Sequence, residues 1–213
     1  MLARISHAVV LSWGWKRAAI AFLAGAASTL ALAPFNAFPV LFVTFPVAVW
    51  LLDGASAGRL GGVATAALTG WWFGFGYLLA GLYWIGYAFL VDAKTFGWLL
   101  PFAVGGLPAV FAIYYAVAFA LARAMWTRGL LRIVALAVAL TATEWLRGHL
   151  FTGFPWNAIG YALTGPLTLA QGSALTGIWG LTLFDILMFA RPEVFGDERA
   201  DTPRPFILPA ICV

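Results

Sequence analysis

Residues 60–90 read LGGVATAALTGWWFGFGYLLAGLYWIGYAFL, a stretch with no charged side chain. As one helix it would be about 46 Å long, against about 30 Å for the hydrocarbon core of a bilayer. It must therefore tilt strongly, break, or extend into water. Gly70, Gly74, Gly76, Gly81 and Gly86 supply break points and faces of close approach, and Gly70-Trp71-Trp72-Phe73-Gly74 has the small-xxx-small spacing of packed helices. Trp71, Trp72, Tyr83, Trp84 and Tyr87 read as packing or interfacial residues, with an acyl-chain groove as the alternative.

The rest of the chain has the same character. Hydrophobic residues make up 63% of the 213 and charged residues 9%, and the mean hydropathy of +0.95 is far above that of a chain that keeps a charged, water-facing surface. Further apolar stretches lie at about 18–33, 38–52, 96–122, 130–146 and 167–190, and another begins at Phe206. The expected fold is all-α: a polytopic transmembrane helical bundle of six spans, with a truncated seventh at 206–213. The first two stretches are short for full spans. Joined by Pro34-Phe35-Asn36-Ala37, they form a helical hairpin or a re-entrant pair.

The charges set an expected topology. With the N-terminus in the cytoplasm, ten of the twelve Lys and Arg fall inside and only Lys94 and Arg147 outside, which is the positive-inside arrangement. The organisation that follows is a cytoplasmic segment 1–17, a membrane domain 18–190, a polar cytoplasmic loop 191–205, and the start of a helix at 206–213. Ala31-Leu32-Ala33 after a basic flank imitates a signal-peptide cleavage site, but Pro34 directly behind it argues that the segment is retained. The net charge of +4 comes from bases scattered singly and in pairs, so nucleic acid is not an expected partner. His7 and His149 have no clustered ligands, and Cys212 is the single cysteine, so neither a metal site nor an intramolecular disulfide is expected. No cofactor is implied.

Chemistry concentrates in Glu144-Trp145-Leu146-Arg147-Gly148 and the following Phe151-Thr152-Gly153-Phe154-Pro155-Trp156-Asn157. Glu144 and Arg147 are three apart on one helical face at the mouth of a span, where each can partly neutralise the other. Phe154, Pro155 and Trp156 then end the helix and offer rigid aromatic surface.

These stretches, with Leu32-Ala33-Pro34-Phe35, Gly74-Phe75-Gly76-Tyr77, Gly81-Leu82-Tyr83-Trp84, Gly160-Tyr161, Gln171 and Gly177-Ile178-Trp179-Gly180-Leu181, occur in the order found in bacterial apolipoprotein N-acyltransferases, and the chain resembles the membrane region of that family. The resemblance implies a multi-pass enzyme of the inner membrane with two substrates. A phospholipid is the acyl donor, and the N-terminal diacylglyceryl-cysteine of a lipoprotein is the acceptor. It also implies a periplasmic nitrilase-like domain whose Glu–Lys–Cys triad forms a thioester. The sequence stops at Val213, ahead of such a domain, so no catalytic residue is assigned to it and the chain by itself is expected to be inactive. Cys212 lies in an apolar run without Glu or Lys, an environment that leaves a thiol inert.

Four residues are candidate substrate contacts: Glu144, Arg147, Trp156 and Asn157. The pair is either an architectural ion pair or a polar platform for a phospholipid headgroup or the lipoprotein terminus; the planar fork of arginine suits a phosphate. The aromatic loop is either an interfacial anchor or, with the Gly153 hinge and the Asn157 amide, a shaped contact surface. Asp185, near the end of its stretch, reads as a snorkelling or protonated acid, and Gln171 as an interhelical hydrogen bond. The alternative function is a small polytopic transporter or a lipid-binding membrane module.

Overall fold

The computed structural model describes residues 2–57, 61–127 and 129–191. Cys212, the loop that follows Arg191 and the apolar run from Phe206 lie outside the described residues. Those described are helical, with no strand among them. Seven principal helices are α1 (Leu2–Val10), α2 (Gly14–Ser28), α3 (Leu41–Asp53), α4 (Gly62–Leu82), α5 (Leu107–Ala124), α6 (Leu131–His149) and α7 (Ser173–Phe189).

The long apolar stretch breaks, one of the three outcomes its length allows. α4 ends at Leu82, a 3-10 turn covers Tyr83–Ile85, and a short helix resumes over Gly86–Leu90. The break falls between Gly81 and Gly86. The stretch expected at 96–122 is also interrupted: Pro101 precedes a π-helical turn at Phe102–Gly106, and α5 is regular only from Leu107. Two helical stretches, Gly62–Leu90 and Ala93–Ala124, have the length and apolar composition to cross a membrane, whereas Phe38–Asp53 and Ser173–Phe189 are apolar but shorter. The structure thus carries the all-helical class and two membrane-length helices.

Helix contacts give the order of packing. α2 and α4 run parallel, since Arg17 meets Thr69 and Phe22 meets Gly76. A Cβ on Gly76 would strike the carbonyl of Phe22, and one on Gly25 the carbonyl of Phe73, so each backbone fits against the other through a glycine. Gly70 and Gly74 face a different neighbour, the rings of Tyr115 and Phe119 on α5. Ser28 donates to Thr44 at 2.8 Å and Arg17 reaches the Leu51 carbonyl, so α2 and α3 run antiparallel. Tyr115 donates to Glu144, and Trp126 and Arg132 both bond Asp53, which sets α5 and α6 antiparallel as well. The core is a single apolar cluster that includes Phe45, Phe73, Tyr77, Phe119, Leu136, Leu140 and Phe189.

Arg17 is not a free surface charge. It is buried, and its guanidinium donates to the Thr69 hydroxyl at 2.9 Å, to the Ser12 carbonyl at 3.3 Å and to the Leu51 carbonyl. At the same end of the bundle Asp53 accepts from Trp126 at 2.9 Å and pairs with Arg132 at 3.2 Å. Charge-assisted bonds of this kind tie the ends of α2, α3, α4 and α6 together.

Candidate functional site

α6 runs on through Glu144 and Arg147 to His149, with Arg147 in its last turn. Ile133, Leu136, Ala137, Leu140, Glu144 and Arg147 recur at helical spacing and form its buried stripe. Each member of the charged pair is 1% exposed. Arg147 Nη2 stands 3.6 Å from Glu144 Oε1, and the rest of the guanidinium faces backbone: Nη1 donates to the carbonyls of Phe154 at 3.1 Å and Trp156 at 2.7 Å, and Nη2 to that of Asn157 at 3.4 Å.

Glu144 is held from three further sides. The Tyr115 hydroxyl donates to Oε1 at 3.0 Å, the Ile159 N–H to Oε2 at 3.1 Å, and the Thr182 hydroxyl to Oε2 at 3.2 Å. Thr182 in turn accepts from the Gly160 N–H at 3.0 Å. Four segments, α5, α6, the 154–160 loop and α7, therefore meet on one ion pair, and the loop's backbone supplies most of the partners. Such multiple hydrogen bonding is what permits two charges to be buried at all.

The helix ends earlier than Phe154, Pro155 and Trp156 would require, because the chain turns directly after His149. Phe151 has φ 51°, Thr152 φ 75°, Gly153 φ 82° and Asn157 φ 54°. Asparagine and glycine adopt this left-handed region readily, but phenylalanine and the β-branched threonine do so at a cost of about 1–3 kcal/mol each. Strain of this size persists only where the surroundings over-determine it, and the bonds to Arg147 and Glu144 are those surroundings. At Gly153 a Cβ would also strike the Gly148 carbonyl.

The loop displays what the pair conceals. Trp156 is 49% exposed and lies 5.2 Å from Trp84, which rises from the break after α4. Phe154 stacks on Phe111 at 4.5 Å, and Phe151 projects outward, 91% exposed. The Asn157 amide nitrogen is buried against Gly81 with no hydrogen-bond partner among the described residues. Gly148 accommodates the Trp179 ring, and Gly160 packs on the backbone of Ile178 and Thr182. Separate stretches singled out in the sequence thus converge on this loop. His149 is exposed and stacks on Trp145 at 4.4 Å, while Gln171 sits exposed at the turn before α7. On another face of α6, Val138, Thr141, Ala142, Trp145 and Leu146 join Trp179 and Leu183 around an open apolar groove of about 530 Å³.

Sequence reasoning missed two partners of Glu144. Tyr115 and Thr182 lie in apolar runs where nothing in the spacing links them to Glu144. Asp185, expected to snorkel or to be protonated, does not snorkel: it is fully buried on α7, its carboxylate without a hydrogen-bond partner among the described residues. Its face of α7 turns inward, so the nearby helix end gives it no path to water. Tyr77, ring to ring with Tyr115 at 5.8 Å, likewise has a buried hydroxyl without a hydrogen-bond partner among the described residues.

Membrane-length apolar helices around a charged pair that serves a strained loop fit the class of helical membrane proteins. Within that class the chain belongs to the apolipoprotein N-acyltransferase N-terminal domain family, whose profile matches residues 24–190. It is 61% identical over 213 residues to the apolipoprotein N-acyltransferase of Rhodopseudomonas palustris, covering 100% of this chain and 40% of the relative. It is 58% identical over 212 residues to that of Bradyrhizobium diazoefficiens, again 100% of this chain and 40% of the relative. With that of Brucella suis it shares 50% over 198 residues, 91% of this chain and 37% of the relative. The chain spans about 40% of the length of the first two relatives.

Proposed function

We propose that this chain is the membrane portion of an apolipoprotein N-acyltransferase, the enzyme that moves an acyl chain from a phospholipid to the α-amine of a lipoprotein's N-terminal diacylglyceryl-cysteine. Family membership and 61% identity over the whole chain support this reading. The nucleophile is assigned to the part of such proteins that this chain does not span. The chain's own task is to anchor, orient and present.

The proposed topology is multi-pass in a bacterial inner membrane, with segment 1–17 and loop 191–205 cytoplasmic, domain 18–190 in the membrane, and the 147–166 region periplasmic. Six crossings and a seventh from Phe206 complete it. The ten-to-two division of basic residues supports the orientation, and the alternating directions of α2, α3, α4, α5 and α6 support the crossings.

The site reading rests above all on one observation: Arg147 holds three successive parts of the aromatic loop by their carbonyls. In the proposed division of labour, Glu144 and Arg147 position the loop, and Trp156 and Asn157 meet the lipid or the lipoprotein terminus. The groove beside Trp145 and Trp179 offers an apolar surface of the kind an acyl chain needs.

Turnover per folded enzyme tests this in a full-length protein carrying Glu144→Gln, Arg147→Gln, both together, or Trp156→Ala. Misplacing a substrate-positioning loop by about 1 Å lowers turnover by about a hundredfold, so the double variant should remain slow even where folding recovers. Near-wild-type turnover in the double variant would confine the pair to architecture, and unchanged turnover in Trp156→Ala would remove the loop from the site.

A further inference from the structure

The opposite end of the bundle carries a surface that the acyl-transfer reading does not use. α1 packs on α3 and the turn after it, with Ser6 and Val9 buried and the Val10 carbonyl against Gly54. Its other face is open: Arg4, Ile5, His7 and Ala8 are exposed. The linker that follows and the first turn of α2 expose large apolar side chains in close succession, Leu11 at 75%, Trp13 at 77% and Trp15 at 76%, with Lys16 exposed beside them.

Two features decide what such a surface fits. Tryptophans and leucine left in the open next to bases have the composition of an interfacial segment rather than of a water-facing one. The charge is also one-sided, since residues 1–52 contain no Asp or Glu. The nearest acid in sequence, Asp53, is engaged by Arg132 and Trp126, and Arg17 is turned inward onto Thr69, Ser12 and Leu51. Arg4 and Lys16 remain as outward cations on an apolar ground.

We propose that α1, the linker after it and the first turn of α2, as far as Lys16, form a platform for anionic phospholipid. Leu11, Trp13 and Trp15 seat at the boundary of headgroups and acyl chains, and Arg4 and Lys16 lie on the lipid phosphates. The platform rests on the membrane reading of the chain but not on its acyl-transfer chemistry. A bilayer without net charge would satisfy the aromatic residues and leave the two cations without counter-charge.

The test uses the whole chain in nanodiscs of phosphatidylcholine alone or with phosphatidylglycerol. An environment-sensitive fluorophore is attached at Leu11→Cys in a Cys212→Ser background. Quenching by doxyl-labelled phosphatidylglycerol is compared with quenching by the matching phosphatidylcholine. One cation near an anionic surface favours the anionic lipid about fivefold, so the label should be quenched preferentially by the anionic probe. The preference should shrink by about fivefold in each of Arg4→Gln and Lys16→Gln. Raising salt on the unmodified sequence around the label should weaken it too, which needs no variant to fold. Quenching by both probes equally would overturn the charge recognition. A label in water, quenched by neither, would show that this face is free for a protein partner and overturn the platform itself. Since no step involves turnover, a negative result leaves the acyl-transfer reading standing.

Discussion

Replacing Arg147 with glutamine removes a guanidinium from a site where three loop carbonyls and one carboxylate surround it. Truncating one member of a buried ion pair costs about 3–5 kcal/mol. Glu144 softens the loss on its own side, because Tyr115, Ile159 and Thr182 continue to donate to it. The loop has no such reserve: the carbonyls of Phe154, Trp156 and Asn157 lose their charged donor, and the strain at Phe151 and Thr152, about 1–3 kcal/mol each, is no longer opposed. An intermediate loss of about 4 kcal/mol raises the population of the opened loop about a thousandfold, at 1.36 kcal/mol per factor of ten. Limited chymotrypsin digestion in detergent micelles reads that population, since cleavage follows the open fraction where opening and closing are fast. Phe151, already 91% exposed, is the reporting site. Cleavage in Arg147→Gln should accelerate by orders of magnitude, with part of the effect reversed in the double variant with Glu144→Gln. A rate within about threefold of the parent, less than 1 kcal/mol by the same conversion, would refute the claim that Arg147 holds the loop.

The remaining predictions concern packing and buried charge. Gly25→Ala and Gly76→Ala each place a methyl against a facing backbone carbonyl and should destabilise the α2–α4 contact by about 1–3 kcal/mol, seen as a lowered unfolding midpoint in detergent. Ala120→Gly on α5 changes helix propensity without touching that contact, so its smaller effect gives the baseline. Arg17→Gln should cost about 2–3 kcal/mol, because it withdraws a charged donor from Thr69, Ser12 and Leu51. The adjacent exposed Lys16→Gln should stay within about 0.5 kcal/mol; equal effects in the same unfolding assay would show that Arg17 is a surface charge after all.

Much of this was legible in the residues themselves. The 60–90 stretch announces through its length that it must tilt, break or extend into water, and its glycines supply possible break points; the structure breaks it between two of them. Glu144 and Arg147 announce through their i, i+3 spacing that they share a face. Other features depend on contacts that no local pattern encodes. That the loop's carbonyls are the partners of Arg147 follows from a return of the chain through three left-handed non-glycine residues, a conformation that Phe151 and Thr152 give no reason to expect. Tyr115 and Thr182 reach Glu144 from sequence separations of 29 and 38 residues, and Asp185 faces inward because α7 packs its Asp185–Ile186 face on the core. Arg17 looked like one more topology charge, and only the positions of Thr69 and Leu51 show it to be a buried tie.

The most direct measurement joins residues 1–213 to the remaining length of the Rhodopseudomonas palustris relative, at the boundary where their similarity ends. N-acylation of a diacylglyceryl-cysteine peptide is then followed in proteoliposomes with phospholipid as donor. If this chain is the membrane portion of such an enzyme, the chimera acylates the peptide with turnover per folded molecule comparable to the relative's own, and Arg147→Gln lowers it sharply. A chimera that inserts and folds yet yields no N-acylated peptide, in vesicles where the relative does, would contradict the proposed function.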